Sequence, residues 1–149
     1  MAVRMELSRI LIRELNDYQI IELREVLDSP AGASAKNAPA PRAFPIVIGL
    51  PEAHAIERRL KGTVLKRPQT HELLANVISQ LGGKLKSITI SDLQDHTFFA
   101  TLDVNSGGEM VHIDSRPSDA IALGVAENVP IYVEEHVLAN ANQDPEELI

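Results

Sequence analysis

The chain has 149 residues, a formal net charge of −7, no cysteine and an aromatic content of only 3%. These values fit one ordinary domain with an aliphatic core, and they exclude disulfide scaffolds, thiolate metal sites and cysteine nucleophiles. They also exclude the generally basic surface that gives most nucleic-acid binders their affinity, so any such contact has to be local or bridged by a cation.

Met1 to Glu6 has no long apolar run after Arg4, and no stretch approaches the length of a membrane span, so a cytoplasmic protein with no membrane contact is expected. Met5 to Glu14 and Gln19 to Val26 are rich in Ile and Leu and flank Asn16-Asp17. This predicts a β-hairpin, with a helix over Leu7 to Leu15 as the rival, because apolar residues there also recur at helical spacing. Asp28 to Ala43 is a small-residue, Pro-containing segment with nothing to bury, and reads as a long flexible surface loop, either an insertion or a lid. Phe44 to Gly49 is a short apolar strand. Pro51 then opens a helix whose buried stripe is Ala53, Ile56 and Leu60, and Gly62 ends it.

Thr70 is placed to cap a second helix with Leu73, Leu74, Val77, Ile78 and Leu81 on its buried face, stopped by Gly82-Gly83. Strands follow at Leu85 to Ile90, Thr97 to Val104 and Glu109 to Asp114, with Ser106-Gly107-Gly108 closing the last hairpin. In the middle strand Phe98, Ala100, Leu102 and Val104 share one face, and Thr97, Phe99, Thr101 and Asp103 the other. The helix from Pro117 to Ala126 is apolar nearly all round and should be buried on most sides. Pro130 to Val133 is a last strand, Glu134 to Ala139 one more helical turn, and the tail from Asn140 is acidic and frayed. The sum is an α+β fold: a single compact domain over residues 1–139, with a mixed or antiparallel sheet, β-hairpins and about three packed helices.

The densest polar cluster beside apolar structure is Ile113-Asp114-Ser115-Arg116-Pro117-Ser118-Asp119, where a strand hands over to the buried helix. Unpaired N–H groups at a helix start can hold phosphate or carboxylate. Asp114 and Asp119 are hard oxygen ligands suited to Mg2+ or Mn2+, and Arg116 offers a planar fork for phosphate. The structural alternative is that Ser115, Ser118 or Asp119 caps the helix while Arg116 pairs with Asp114 or Asp119. In Arg67-Pro68-Gln69-Thr70-His71-Glu72, His71 and Glu72 can serve as base and ligand, or as a cap and a surface ion pair. Glu52, at the start of the first helix, complements the helix dipole. Arg58-Arg59-Leu60-Lys61 and Lys66-Arg67 concentrate positive charge, which reads first as a solvated helix face and the loop after it. The five histidines show no metal-finger or HExxH spacing, and GxSxG, P-loop and dinucleotide motifs are absent, so no organic cofactor is expected.

Five blocks occur in order: Ile48-Gly49-Leu50-Pro51-Glu52-Ala53-His54-Ala55-Ile56, Arg67-Pro68-Gln69-Thr70-His71, Thr97-Phe98-Phe99-Ala100, Ile113-Asp114-Ser115-Arg116-Pro117-Ser118-Asp119-Ala120-Ile121-Ala122-Leu123 and Pro130-Ile131-Tyr132-Val133. Together they resemble the bifunctional nuclease domain family from about Met5 to Leu138. The resemblance implies a compact α+β fold, frequently a homodimer, with activity on both DNA and RNA. It brings no assigned catalytic residues. By position, Glu52, Arg67, His71, Asp114, Arg116, Ser118 and Asp119 fall in the family's polar blocks, while the Asp28 to Ala43 segment departs from its pattern.

Two functional expectations follow. In the first, a metal-assisted phosphodiesterase acts on nucleic acid. Asp114, Asp119 and Glu52 hold Mg2+ or Mn2+, Arg116, Arg67, Ser118 and Thr70 contact phosphate, and His71 transfers the proton. In the second, a non-catalytic regulatory protein binds an anion or nucleotide at the helix start around residues 114–119.

Overall fold

The computed structural model describes residues 1–27 and 40–141. Most of the expected loop over 28–43 and most of the acidic tail lie outside the described residues. β1 (Ala2–Leu11) and β2 (Gln19–Glu25) form the expected antiparallel hairpin, so strand wins over the rival helix. Ile21 and Leu23 are buried on one face of β2, and Glu22 and Arg24 point away. The buried Gln19 side chain fixes the turn by donating to the carbonyls of Arg13 and Asn16 and accepting from the Arg13 amide. Its polar atoms are thus satisfied despite their burial.

β3 (Ala43–Ile48) pairs with β2, so Ala43 belongs to a strand rather than to the loop. β4 (Gly83–Gln94), β5 (Thr97–Ser106) and β6 (Glu109–Ser115) make an antiparallel meander. Its second turn is Gly107-Gly108, both at positive φ, which costs glycine least. β7 (Ile131–Glu134) slots between β1, antiparallel to it, and β4, parallel to it. The result is one seven-stranded mixed sheet in the order β3-β2-β1-β7-β4-β5-β6.

That sheet is strongly curled. Phe44 of β3 and Phe98 of β5 stack with ring centroids 5.6 Å apart. Five flat inter-strand steps of about 4.8 Å would separate those two strands by roughly 24 Å. The first strand in the order therefore comes round to face the start of β5, and a gap opens there.

Among the described residues four helices accompany the sheet: α1 (Leu50–Lys61), α2 (Thr70–Gln80), α3 (Pro117–Glu127) and α4 (Glu135–Ala141). The expected terminal turn is thus a fourth helix of seven residues, anchored by buried Val137, Leu138 and Ala141. α1 ends where expected, at Gly62 in the left-handed conformation. α3 is buried from Pro117 through Gly124 at every residue but Asp119, as its near all-round apolarity requires. It lies so close to the sheet that a Cβ at Gly124 would stand 3.4 Å from Ile88 and 3.3 Å from Val129.

α2 corrects the sequence reading in two ways. Thr70 is its first residue and makes no capping bond. The apolar face expected to be buried is largely open: Leu73, Leu74, Val77 and Leu81 are exposed, and no residue of the helix is fully buried. Helical spacing identified the face, but spacing does not say whether this chain alone covers it.

Candidate functional site

Two strand ends and two helix starts converge on one guanidinium. β3 ends at Ile48, and Gly49 turns the chain straight into α1, which places Glu52 in the first turn. Gly49 has ordinary negative φ, so the reason for glycine is space: an added Cβ would collide with the Glu52 carboxylate. β6 ends at Ser115, and Arg116 takes the N-cap position of α3 with the extended backbone that a residue before proline favours.

From that position Arg116 Nη1 donates to Glu52 Oε1 at 3.0 Å. Its Nε donates to Asp119 Oδ2 at 2.8 Å, and Nη2 to Asp119 Oδ1 at 3.1 Å. His71, the second residue of α2, donates from Nε2 to Asp119 Oδ1 at 2.8 Å. An ionised carboxylate only accepts, so this bond puts the hydrogen on Nε2 and leaves Nδ1 as the other ring nitrogen. Burial pushes the Asp119 carboxyl up, but the hydrogen bonds and charges of Arg116 and His71 outweigh it and hold the group below the usual carboxylate range. Hydrogen bonds to Asp119 and Glu52 in turn raise Arg116 further above its ordinary value.

A second ion network sits behind the first and locks the three helices together. Glu72 Oε1 accepts from Arg58 Nη2 at 3.0 Å, and Oε2 from Arg58 Nε and Arg59 Nη1 at 3.3 Å each. Arg59 Nε also donates to the carbonyl of Ala122 in α3 at 2.6 Å. Arg58 and Arg59 of the basic run are therefore an internal clamp, the Arg59 side chain being only 8% exposed, while Lys61 stays on a solvated face. Burial raises the Glu72 carboxyl, and the two arginines more than reverse that.

Beside Arg116 the gap in the curled sheet forms a cleft of about 510 Å³. Pro45, Ile46, Val47, Ile48 and Phe98 make its apolar walls; Glu52, His96, Thr97 and Arg116 supply polar atoms. Ser118 also lines it, although the residue is only 6% exposed. Its hydroxyl makes no hydrogen bond to any described residue. The amides of Ser118 and Asp119 belong to the first turn of α3 and have no intrahelical partner; the helix's own bonding begins with Ala120 N–H to the Arg116 carbonyl.

Of the residues expected from sequence, Glu52, His71, Arg116 and Asp119 are joined in one chain of bonds, and Ser118 lies beside them. Three are placed apart. Asp114 is exposed on β6 in register with Thr101, and its side chain makes no hydrogen bond to a described residue. Arg67 is exposed between α1 and α2 without an ion pair among the described residues, and Thr70 is exposed at the start of α2. Asp114, Asp119 and Glu52 do not form a cation cage: among the described residues no three His, Asp or Glu side chains converge on a common point. Arg116 itself stands between Glu52 and Asp119 and takes up oxygens that a cation would need.

Sequence reasoning passed over His96. It and Asp95 form the tip of the β4–β5 hairpin with φ of 63° and 48°, positions where Asn and Gly are usual. Two non-glycine residues in that region at a cleft are a signal that periodicity does not register. A second carboxylate cluster lies away from the cleft. Asp103 is 5% exposed and accepts from Ser87, Thr89 and Thr101 hydroxyls and from His112 Nδ1, at 2.7 to 2.9 Å. Its acceptor capacity is filled from within the sheet, which makes it a structural anchor.

A sequence profile of the bifunctional nuclease domain matches residues 35–146. Two uncharacterized proteins from two strains of Mycobacterium tuberculosis are 42% identical to the chain over 106 residues, covering 71% of this chain and 63% of theirs. The match thus spans somewhat under two thirds of the length of these relatives. Glu52, His71, Arg116, Ser118 and Asp119 all lie within the profiled segment, and the chain belongs to the bifunctional nuclease domain family.

Proposed function

We propose that the chain hydrolyses phosphodiester bonds of DNA or RNA at the cleft beside Arg116. The observation that carries this reading is the position of the guanidinium: held by two carboxylates, yet 62% exposed in its side chain at the mouth of the cleft. Three of its five N–H groups are committed to Glu52 and Asp119, which leaves two for a phosphoryl oxygen. The free amides and the hydroxyl at the start of α3 supply further donors to the same anion. As negative charge grows on the phosphoryl oxygens in the transition state, donors already fixed in place stabilise it without reorganising.

Each neighbour then has a task. Asp119 positions Arg116, and its bond to His71 ties α2 to the site. Glu52 lines the cleft, and the bond to Arg116 uses only Oε1, so Oε2 can accept the proton of an attacking water as its oxygen bonds to phosphorus; the P–O ester bond to the leaving nucleotide breaks, and that oxygen takes its proton from solvent. His71 does not line the cleft, and serves as a positioning residue behind Asp119. Since Glu52, Asp119 and Asp114 do not form a cation cage in this arrangement, each step is assigned to the chain's own groups, and the need for Mg2+ or Mn2+ is a matter for assay.

The reading is tested by cleavage of fluorescent DNA and RNA by wild type and Arg116→Ala, with magnesium, manganese or EDTA. Cleavage that collapses in the variant supports it; equal traces in both mark contamination. A second reading, a non-catalytic nucleotide or anion binder, is favoured by one specific observation: two carboxylates share a single guanidinium on a chain of net charge −7. Saturable binding without turnover selects it.

The homodimer expected from the resemblance is proposed to cover the exposed apolar residues of α2 and of β6, where Met110, Val111 and Ile113 face outward on an edge strand. No described helix is long and apolar enough to cross a membrane.

A further inference from the structure

We infer that the cleft seats one unpaired nucleotide, base against the apolar wall and phosphate at the start of α3, so that the substrate is single-stranded. This rests on the phosphodiesterase reading and narrows its substrate. At about 510 Å³ the cleft falls in the range of small-ligand sites, roughly 300–1,000 Å³. Its lining is of two kinds: Ile46, Ile48 and Phe98 are apolar, and Arg116 and Ser118 supply hydrogen-bond donors. A base has an apolar face and a phosphate has none, so a nucleotide is the unit that satisfies both kinds at once.

Three further observations favour this assignment. Ser118, a residue only 6% exposed, lines the cleft, and its hydroxyl has no hydrogen-bond partner among the described residues, so it is available to a ligand atom. The aromatic wall is braced, since Phe98 stacks on Phe44 and cannot fold away from a base placed on it. With a net charge of −7 the chain has no charge excess to track the two backbones of a duplex, so binding depends on local phosphate contact. A base inside a duplex cannot enter a walled cleft without unstacking and unpairing, which costs least in a single strand.

The test uses the full chain and three probes: adenosine 5′-monophosphate, adenosine and inorganic phosphate, titrated by calorimetry. Cleavage of a 20-nucleotide single strand is compared with that of the same sequence in a blunt duplex. The blocking variant is Val47→Trp, at an exposed cleft position where added bulk leaves the core alone. The monophosphate should bind at least tenfold more tightly than either half, Val47→Trp should weaken it about tenfold with unchanged melting, and the single strand should be cut at least tenfold faster. Equal cleavage of strand and duplex, with the monophosphate no tighter than phosphate, overturns the inference and leaves the phosphodiesterase reading standing. Tight monophosphate binding lost in Val47→Trp, without cleavage of any substrate, supports the nucleotide seat and overturns the phosphodiesterase reading.

Discussion

Glu72 is where a single truncation should cost most stability for its size. Glu72→Ala removes three charged hydrogen bonds and strands Arg59, whose side chain is 8% exposed, with only the Ala122 carbonyl as partner. Breaking a buried pair by deleting one member costs about 3–5 kcal/mol, because a desolvated charge is left uncompensated. Glu72 and Arg58 keep some solvent contact, at 21% and 15% side-chain exposure, so the lower end applies. For a chain near 150 residues, about 3 kcal/mol corresponds to a fall in Tm of roughly 6–12 °C. Thermal unfolding followed by circular dichroism reads this directly. The double variant Arg59→Met with Glu72→Leu should regain most of the loss, since apolar side chains can replace a buried pair at little cost. A Glu72→Ala melting point within about 2 °C of wild type, less than 1 kcal/mol at this size, would refute the clamp.

Other outcomes follow from the same geometry. Asp103 is held below its ordinary carboxyl range because bonds from His112, Thr89, Ser87 and Thr101 outweigh the opposing effect of burial. Its stabilisation is therefore present above the unfolded value, about 3.9, and lost as pH falls through the lower folded value. Asp103→Asn should flatten that acid limb of Tm against pH, and an unchanged limb would contradict it. Gly49→Ala should displace Glu52 and lower cleavage more than tenfold while changing Tm by only a few degrees, consistent with the positioning precision that catalysis demands; unaltered kinetics would mean that Glu52 has no part in the reaction. Val77→Lys, on the open face of α2, should shift light-scattering mass from dimer to monomer, and a wild type that is already monomeric would remove the proposed homodimer.

The fold was readable where local rules and tertiary packing agree. The β5 alternation, the glycine stop at Gly62, the Gly107-Gly108 turn and the all-round apolarity of α3 each carry their structural meaning in a few neighbouring residues. What could not be read depends on distant parts of the chain. The sheet's curl is a sum of small twists, and it alone brings Phe44 to Phe98 and opens the cleft. Of the candidate site, Glu52, His71, Arg116 and Asp119 were legible as polar residues beside apolar elements. Their mutual bonds were not, because 64 residues separate Arg116 from Glu52 and 48 separate Asp119 from His71. Asp114 drew attention through its neighbours in sequence, but strand alternation turns it away from the cluster they form. Arg59 read as a surface charge because the carbonyl and carboxylate that receive it belong to other helices.

The most direct test of the site is cleavage of a labelled single-stranded RNA and DNA by rigorously purified Arg116→Ala, Arg116→Lys and wild type. The guanidinium is largely exposed, so both variants should melt within a few degrees of wild type. If Arg116 stabilises the transition state, the alanine variant should lose about 10²–10³-fold in kcat, in the manner of a deleted oxyanion donor. Lysine should fail to restore it, because an ammonium has only three donors, no more than Arg116 spends on Glu52 and Asp119, and lacks the planar fork that leaves two for phosphate. Cleavage by either folded variant at the wild-type rate would contradict the assignment of the site.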